Sequence, residues 1–189
     1  MLAFGNTRLG AIGEDAVREG LNVSPRWLAA IFFGTLTLLS VSAQAGTIRV
    51  PEVGDPAFTL DCPDDWTHDP PNGQSIVVTS GDRSTSIVLL IGPNTLPLDN
   101  MVAVLMKGLG ASPPTNTGST DISGYHGFAY ESAMTSSAGL HVNMRIVAVK
   151  LDNSHAAVIA MQTLDSISTE QFAVGSSVFR GATLSRTNP

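Results

Sequence analysis

Ser86-Ile87-Val88-Leu89-Leu90-Ile91 constrains this chain more than any other stretch, because both alternating sets of side chains are apolar. A strand of that kind is stable only with cover on both faces, from helices or from a second sheet layer. The flanking text agrees with a strand. Ser75–Thr79 is a second short β-prone run, and Ser80-Gly81-Asp82-Arg83 between them is a tight polar connection, so the pair is expected to form a β-hairpin. One cover follows directly. Leu98, Met101, Val102, Leu105 and Leu109 recur at spacings of three and four, the stripe of an amphipathic helix. Pro97 suits its first turn and Gly110 the left-handed position that ends it. Met101 and Met106 belong to the packing stripe and not to a cofactor box.

Upstream, Phe58, Leu60 and Cys62 alternate with Thr59 and Asp61, the period of a strand buried on one face. Pro63, Asp64 and Asp65 stop that strand with turn chemistry, and Trp66 follows as an apolar anchor. Phe58, Leu60, Cys62 and Trp66 are therefore expected inside, with Asp64 and Asp65 in an exposed turn. Thr47–Val50 is a short strand made an edge by Pro51, and His68 to Gly73 is a loop. Downstream, Ala111 to Gly118 is expected to be a loop. Ile122 to Gly127 then leads, through glycines that mark a bulge or a turn, into Phe128–Ala133. His141–Leu151 and His155–Leu164 complete an antiparallel meander. Ser168-Thr169-Glu170-Gln171 has the form of a capping box and opens a closing helix to about Thr183, with frayed residues from Leu184 onward. The resulting fold class is α+β: a mostly antiparallel sheet of about six strands with helices on both faces.

Residues 1 to 45 have a different character. Trp27 to Val41 carries no charge, follows Arg26, and precedes Ser42-Ala43-Gln44-Ala45, the small-x-small pattern of a signal-peptidase site. The division expected is an N-terminal extension with a cleavable signal peptide at 1–45, cut after Ala45, and one domain at 46–189. The apolar run is shorter than the ~20 residues of a comfortable membrane span. With no cysteine at the cleavage point, neither a lipid anchor nor a stable membrane anchor is expected after cleavage. Residues 1–25 are long for a signal n-region and carry Glu14, Asp15 and Glu19, as a start site nearer Leu21 or Val23 would explain. The destination expected is the periplasm or the exterior of a bacterium.

The order of strand, P-D-D-W turn, hairpin, helix, glycine-marked meander and capped final helix resembles the PsbP-like superfamily of small α/β/α sandwiches. That superfamily includes exported bacterial proteins of the mycobacterial LpqN type. The residues that carry the resemblance are Phe58-Thr59-Leu60, Pro63 and Trp66, then Ile122-Ser123-Gly124-Tyr125-His126-Gly127, and the helix after Ser168. It covers roughly Val50 to Leu184. It implies the fold, and a binding, assembly or chaperone-like role rather than an enzymatic one. It carries over no catalytic residue, and the absence of a lipid anchor departs from the LpqN type.

Composition narrows the chemistry. A formal net charge of −6 argues against nucleic acid and anionic membrane surfaces as partners. The single cysteine, Cys62, excludes a disulfide framework and a Cys-rich metal site, and its place on the buried face makes it a small hydrophobe. Asp121-Ile122-Ser123-Gly124-Tyr125-His126 is the nearest text to a hydrolase site, yet Asp121 and Tyr125 stand where a nucleophile elbow needs glycine. His68, His126, His141 and His155 lack metal-ligand spacing, and Asp61, Asp64, Asp65 and Asp69 lack the pattern of a calcium loop. Phosphate-loop and dinucleotide patterns are absent. No cofactor, metal or catalytic residue is expected. The candidate interaction surface is His141, Asn143 and Arg145, which share one face of a strand whose other face holds Val142, Met144, Ile146 and Ala148.

The function expected is that of an exported, non-enzymatic binding or assembly protein of the bacterial cell envelope, whose partner is another envelope or secreted protein. A narrower form of it is an immunity or inhibitor protein. The alternative is a periplasmic small-ligand carrier or a hydrolase that uses the Asp64–Asp69 and Ser123–His126 loops, which a deep pocket uniting those loops would favour.

Overall fold

The computed structural model describes residues 46–71, 73–136 and 138–185. The signal segment, its cleavage point and residues 186–189 lie outside the described residues. The elements in order are β1 (Gly46–Val50), β2 (Phe58–Cys62), β3 (Thr67–His68), β4 (Ser75–Thr79), β5 (Thr85–Pro93), α1 (Leu98–Gly108), β6 (Thr115–Ile122), β7 (Tyr125–Thr135), β8 (His141–Lys150), β9 (His155–Leu164), α2 (Thr169–Gly181) and β10 (Thr183–Leu184). They make a seven-stranded sheet in the order β3-β4-β5-β9-β8-β7-β6 and a three-stranded sheet in the order β1-β2-β10. Every pairing is antiparallel.

The doubly apolar strand is covered twice, as its sequence requires. On one face of the large sheet Val88, Val158, Ala160, Ile146 and Tyr130 pack against Val102 and Met106 of α1. On the other face Ile87, Leu89, Ile159 and Met161 pack with Val178 of α2, with Ala182 just beyond its end, and with Phe58, Leu60 and Trp66 of the small-sheet layer. Burying a side chain such as Leu89 or Ile159 fully contributes about 1.5–3 kcal/mol in transfer terms. Phe58, Leu60 and Trp66 are buried, Cys62 is half-buried, and Asp64 and Asp65 are exposed in the turn that Trp66 N–H closes onto the Pro63 carbonyl at 3.0 Å.

Both helix ends follow the sequence signals. Gly110 has φ +67° just beyond the end of α1. At α2 the Ser168 hydroxyl accepts the Gln171 N–H and the Gln171 side chain accepts the Ser168 N–H, each at 3.2 Å. Pro97 takes the N-cap position of α1 rather than its first turn. Asp99 in that first turn accepts from the Tyr130 hydroxyl at 2.7 Å, which fixes the helix over β7.

Three expectations are corrected. Thr115–Ile122 is a full strand where a loop was expected across residues 111–118. It is a polar edge strand exposed on both faces, so it carries no alternation, and a bulge at Asn116/Gly118 breaks its register. His68, the first residue of the stretch expected to be a loop, instead ends the short strand Thr67–His68 and pairs with Val78 of β4. Leu184 is buried and β10 pairs it with Phe58, so this residue sits in the core where fraying was expected. These strands raise the total above the expected six, and each is too short or too polar to show a period of two.

Candidate interaction surface

His141, Asn143 and Arg145 are all exposed and lie on the same face of β8. That is the α2 face of the sheet, because Arg145 stands opposite Met161 in β9, whose side chain belongs to the core under α2. The helix packs over β5 and β9, and its cover stops before the far half of β8. The polar residues begin where the cover ends.

They are held in place laterally. The Arg145 guanidinium lies over the Phe172 ring of α2, 5.1 Å from its centroid, and its Nε is 3.8 Å from Glu131 Oε1 on β7. Asn143 Nδ2 donates to Asp165 Oδ1. His141 Nδ1 is 3.2 Å from Thr135 Oγ1, and the His141 carbonyl accepts the Asp165 N–H at 3.1 Å. Exposed contacts of this kind contribute little stability, about 0.5–1 kcal/mol for the cation–π pair and less for a screened ion pair. Their effect is to orient polar groups on a rigid sheet.

The Asp121–His126 text forms the β6–β7 turn. Ser123 and Gly124 have φ +54° and +86°, so both central residues are left-handed, as a two-residue hairpin of this hand requires. Asp121 Oδ1 accepts the Gly124 N–H at 2.7 Å, and Asp121 Oδ2 lies 3.0 Å from Nδ1 of His126, a side chain 93% exposed. The Ser123 hydroxyl accepts the Leu184 N–H at 2.9 Å, so it faces the small sheet. His126 faces the opposite side and lines an open trough of about 620 Å³ with Leu98, Ser119, Asp121, Phe128 and Lys150. The geometry separates the serine from the His–Asp pair.

The acidic residues are dispersed in the same way. Asp61 accepts the Thr47 hydroxyl at 2.7 Å, Asp65 packs on Gly81 beside the β4–β5 turn, and Asp69 donates its N–H to Val77. The Asp64–Asp69 loop and the Ser123–His126 turn lie near opposite edges of the large sheet, roughly 24–29 Å apart at about 4.8 Å per strand step. The trough beside the Ser123–His126 turn includes none of residues 64–69 in its lining. Among the described residues no three His, Cys, Asp or Glu side chains converge as metal ligands. Burial, helped by the Asp61 charge, pushes the Cys62 thiol up to about 11 and keeps it protonated. No helix among the described residues is long and apolar enough to cross a membrane.

Sequence reasoning missed the trough. Its one local signal is Lys150, which ends the apolar series Met144, Ile146, Ala148 on the α1 face. The partners Glu131, Asp165 and Phe172 were also missed, since only register brings them beside β8.

No protein-family model and no curated protein matches the sequence. Solved structures do. The solution structure of cyanobacterial PsbP (CyanoP) from Synechocystis sp. PCC 6803 superposes with a TM-score of 0.51 at 14% identity, covering 80% of this chain and 100% of that one. The chain has a PsbP-like fold. LpqN of Mycobacterium tuberculosis, a protein involved in cell envelope biogenesis, matches with a TM-score of 0.49 at 13% identity, over 74% of this chain and 91% of that one. A protein of Bacteroides thetaiotaomicron VPI-5482 matches with a TM-score of 0.43 at 11% identity, over 68% of this chain, which spans only 45% of that one's length. Within the PsbP-like fold the open half-face of β7 and β8 is a property of this chain's own residues, and the likeness extends to the backbone alone.

Proposed function

We propose that the chain is an exported, non-enzymatic binding protein of the bacterial envelope, which engages another envelope or secreted protein through the open face of β7 and β8. The observation that carries this reading is the row His141, Asn143 and Arg145, oriented by Thr135, Asp165, Glu131 and Phe172 on the uncovered half of a rigid sheet. Side chains already held in one geometry lose less freedom on binding, and an arginine stacked on an aromatic ring is a common anchor of protein interfaces. In its narrower form the partner is a toxin or hydrolase that this chain neutralises, with toxicity appearing only when this chain is removed.

Affinity capture from an envelope fraction, with wild type beside an Asn143→Asp, Arg145→Glu double variant, tests the reading. Wild type is expected to recover one specific protein, and the double variant to recover it at least thirtyfold less well, the loss typical of an interface anchor. Recovery of no specific protein, or equal recovery by both chains, overturns it.

A second reading has its own observation, the trough between Leu98, Phe128 and Lys150. Leu98 and Phe128 lie beside Lys150, with the Asp121 carboxylate and His126 also in the lining, and this suits a small amphipathic ligand whose acid group meets Lys150, as a carrier would hold. Hydrolysis there would need a nucleophile other than Ser123, whose hydroxyl is engaged on the opposite side. Amide shift perturbation by decanoate confined to these residues would support the carrier reading, and its absence would remove it.

A further inference from the structure

Between β1 and β2 the chain makes a loop, Pro51 to Pro56, that one side chain braces from within. Arg49 Nη1 donates to the carbonyls of Pro51 at 2.6 Å and Glu52 at 2.9 Å, and its Nη2 donates to the Gly54 carbonyl at 2.5 Å and to Asp55 Oδ1 at 2.9 Å. Ser185 ties the far side. Its hydroxyl donates to the same Asp55 oxygen at 2.5 Å and accepts the Ala57 N–H at 2.8 Å. Both feet of the loop are fully buried, at Val50 and Ala57.

The tip is the opposite. Val53 is 88% exposed, well above the next large apolar side chain, Leu140 at 51%. Its neighbour Glu52 is exposed, and among the described residues its carboxylate has no partner. An unbraced six-residue loop would be free to fold its valine onto the protein. Here the guanidinium saturates three carbonyls and a carboxylate, and the loop stands as a convex knob with an aliphatic end and a negative shoulder. Such a shape, ordered before binding, complements a concave site on another protein. An anionic lipid surface does not suit it, given Glu52 and the chain's net charge of −6.

We infer that the Pro51–Pro56 loop is a second docking element, which inserts Val53 into a small aliphatic pocket of a partner protein and sets Glu52 against a basic group at the pocket's rim. The inference rests on the binding-protein reading above but uses a separate surface. Ser123 and Ser185 place the loop near the Lys150 end of the sheet, whereas His141 to Arg145 occupy the other end of β8, roughly 20 Å away along the strand.

The test is in-cell photo-crosslinking of the full chain, with an aliphatic diazirine residue at position 53, at 133 (the exposed Ala133 that lies opposite Asn143 on β7), or at the exposed control position 174. A single discrete protein adduct is expected from position 53, at least tenfold stronger than from 174. Glu52→Gln, an exposed change that leaves the fold alone, should lower its yield at least threefold. Arg49→Met should lower it tenfold while sparing any adduct formed from position 133. An adduct at 133 with none at 53 overturns the loop inference and leaves the proposed function standing, and no adduct at either position overturns both. The loop inference also falls if position 53 yields lipid alone, an adduct of twice the chain's mass, or the same yield as 174. Equal yields in wild type, Glu52→Gln and Arg49→Met overturn it as well.

Discussion

β8 and β9 are neighbouring strands of equal length, paired from Val142–Leu164 to Lys150–Ala156, yet they solve different problems. Along β9 the α2 face is Ala157, Ile159 and Met161, all buried. Along β8 the same face is Val149 buried, Val147 half-buried, and then Arg145, Asn143 and His141 exposed. The cover provided by α2 ends between them. Where it ends, side chains bond to one another across strands instead of packing into a core. A sheet face left open in this way can keep its shape and still meet a partner.

The largest effect should come from removing what the covered strand depends on. Ile159→Ala is expected to cost about 4 kcal/mol, the transfer and cavity terms of a fully buried isoleucine. Its cross-strand partner Val147, half-buried at the margin of the cover, should cost only about 1 kcal/mol when changed to Ala. Urea unfolding measures both. Equal losses would show that the cover extends over β8 after all.

The buried end of β8 has a strong constraint of its own, and it lies in the backbone. A Cβ at Gly127 would fall 2.0 Å from the Ala148 carbonyl oxygen and 2.8 Å from Val149 Cα, so β7 and β8 meet there at a distance only glycine allows. Gly127→Ala is expected to cost about 3 kcal/mol, at the upper end for overpacking, and to broaden the amide signals of β7 and β8 more than those of β5 and β9. A loss below 1 kcal/mol would mean that the strands part without penalty.

These contrasts also mark what could be read from residues alone. The covered part was legible because burial on one or both faces writes itself as alternation. Phe58-Leu60-Cys62, the run Ser86–Ile91, and the stripe Leu98–Leu109 all show it, and the PsbP-like order followed from those elements. Edge strands that are polar on both faces or only two residues long leave no such trace. Thr115–Ile122 is polar on both faces, and β3 and β10 are two residues each, held by register alone. The candidate surface was half legible. Alternation put His141, Asn143 and Arg145 on one face, but their partners come from positions far away in sequence. The Arg49 brace was invisible for a similar reason. An arginine that saturates carbonyls leaves no motif, only a loop bounded by Pro51 and Pro56.

On the open face itself, stability and recognition should separate. Arg145→Met keeps much of the stem's contact with Phe172 but removes the cation–π pair and the Glu131 ion pair, so it is expected to cost no more than about 1 kcal/mol. In the affinity capture described above, the same change should weaken partner recovery at least tenfold. A destabilisation of 2 kcal/mol or more would place Arg145 with the core and remove the reason for regarding it as an interface residue.

The turn that joins the two strands provides the smallest and most conditional effect. Asp152 Oδ1 accepts the N–H groups of Ser154 at 2.6 Å and His155 at 2.7 Å, and Oδ2 lies 3.0 Å from the His155 ring. The Ser154 hydrogen bond first, and the His155 side chain next, hold the Asp152 carboxyl below its usual range. A carboxylate with a lowered folded-state value adds stability that is complete above the ordinary range of about pH 4 and is lost as pH falls through the lowered value. The gap in urea midpoint between wild type and Asp152→Ala should therefore shrink steadily as pH falls below about 4. A gap unchanged at pH 2.5 would show that the Asp152 charge contributes nothing and that the turn is held by chain geometry alone. In that case the closed end of β8 and β9, like their covered half, would owe its order to packing, and charge would matter only on the open face.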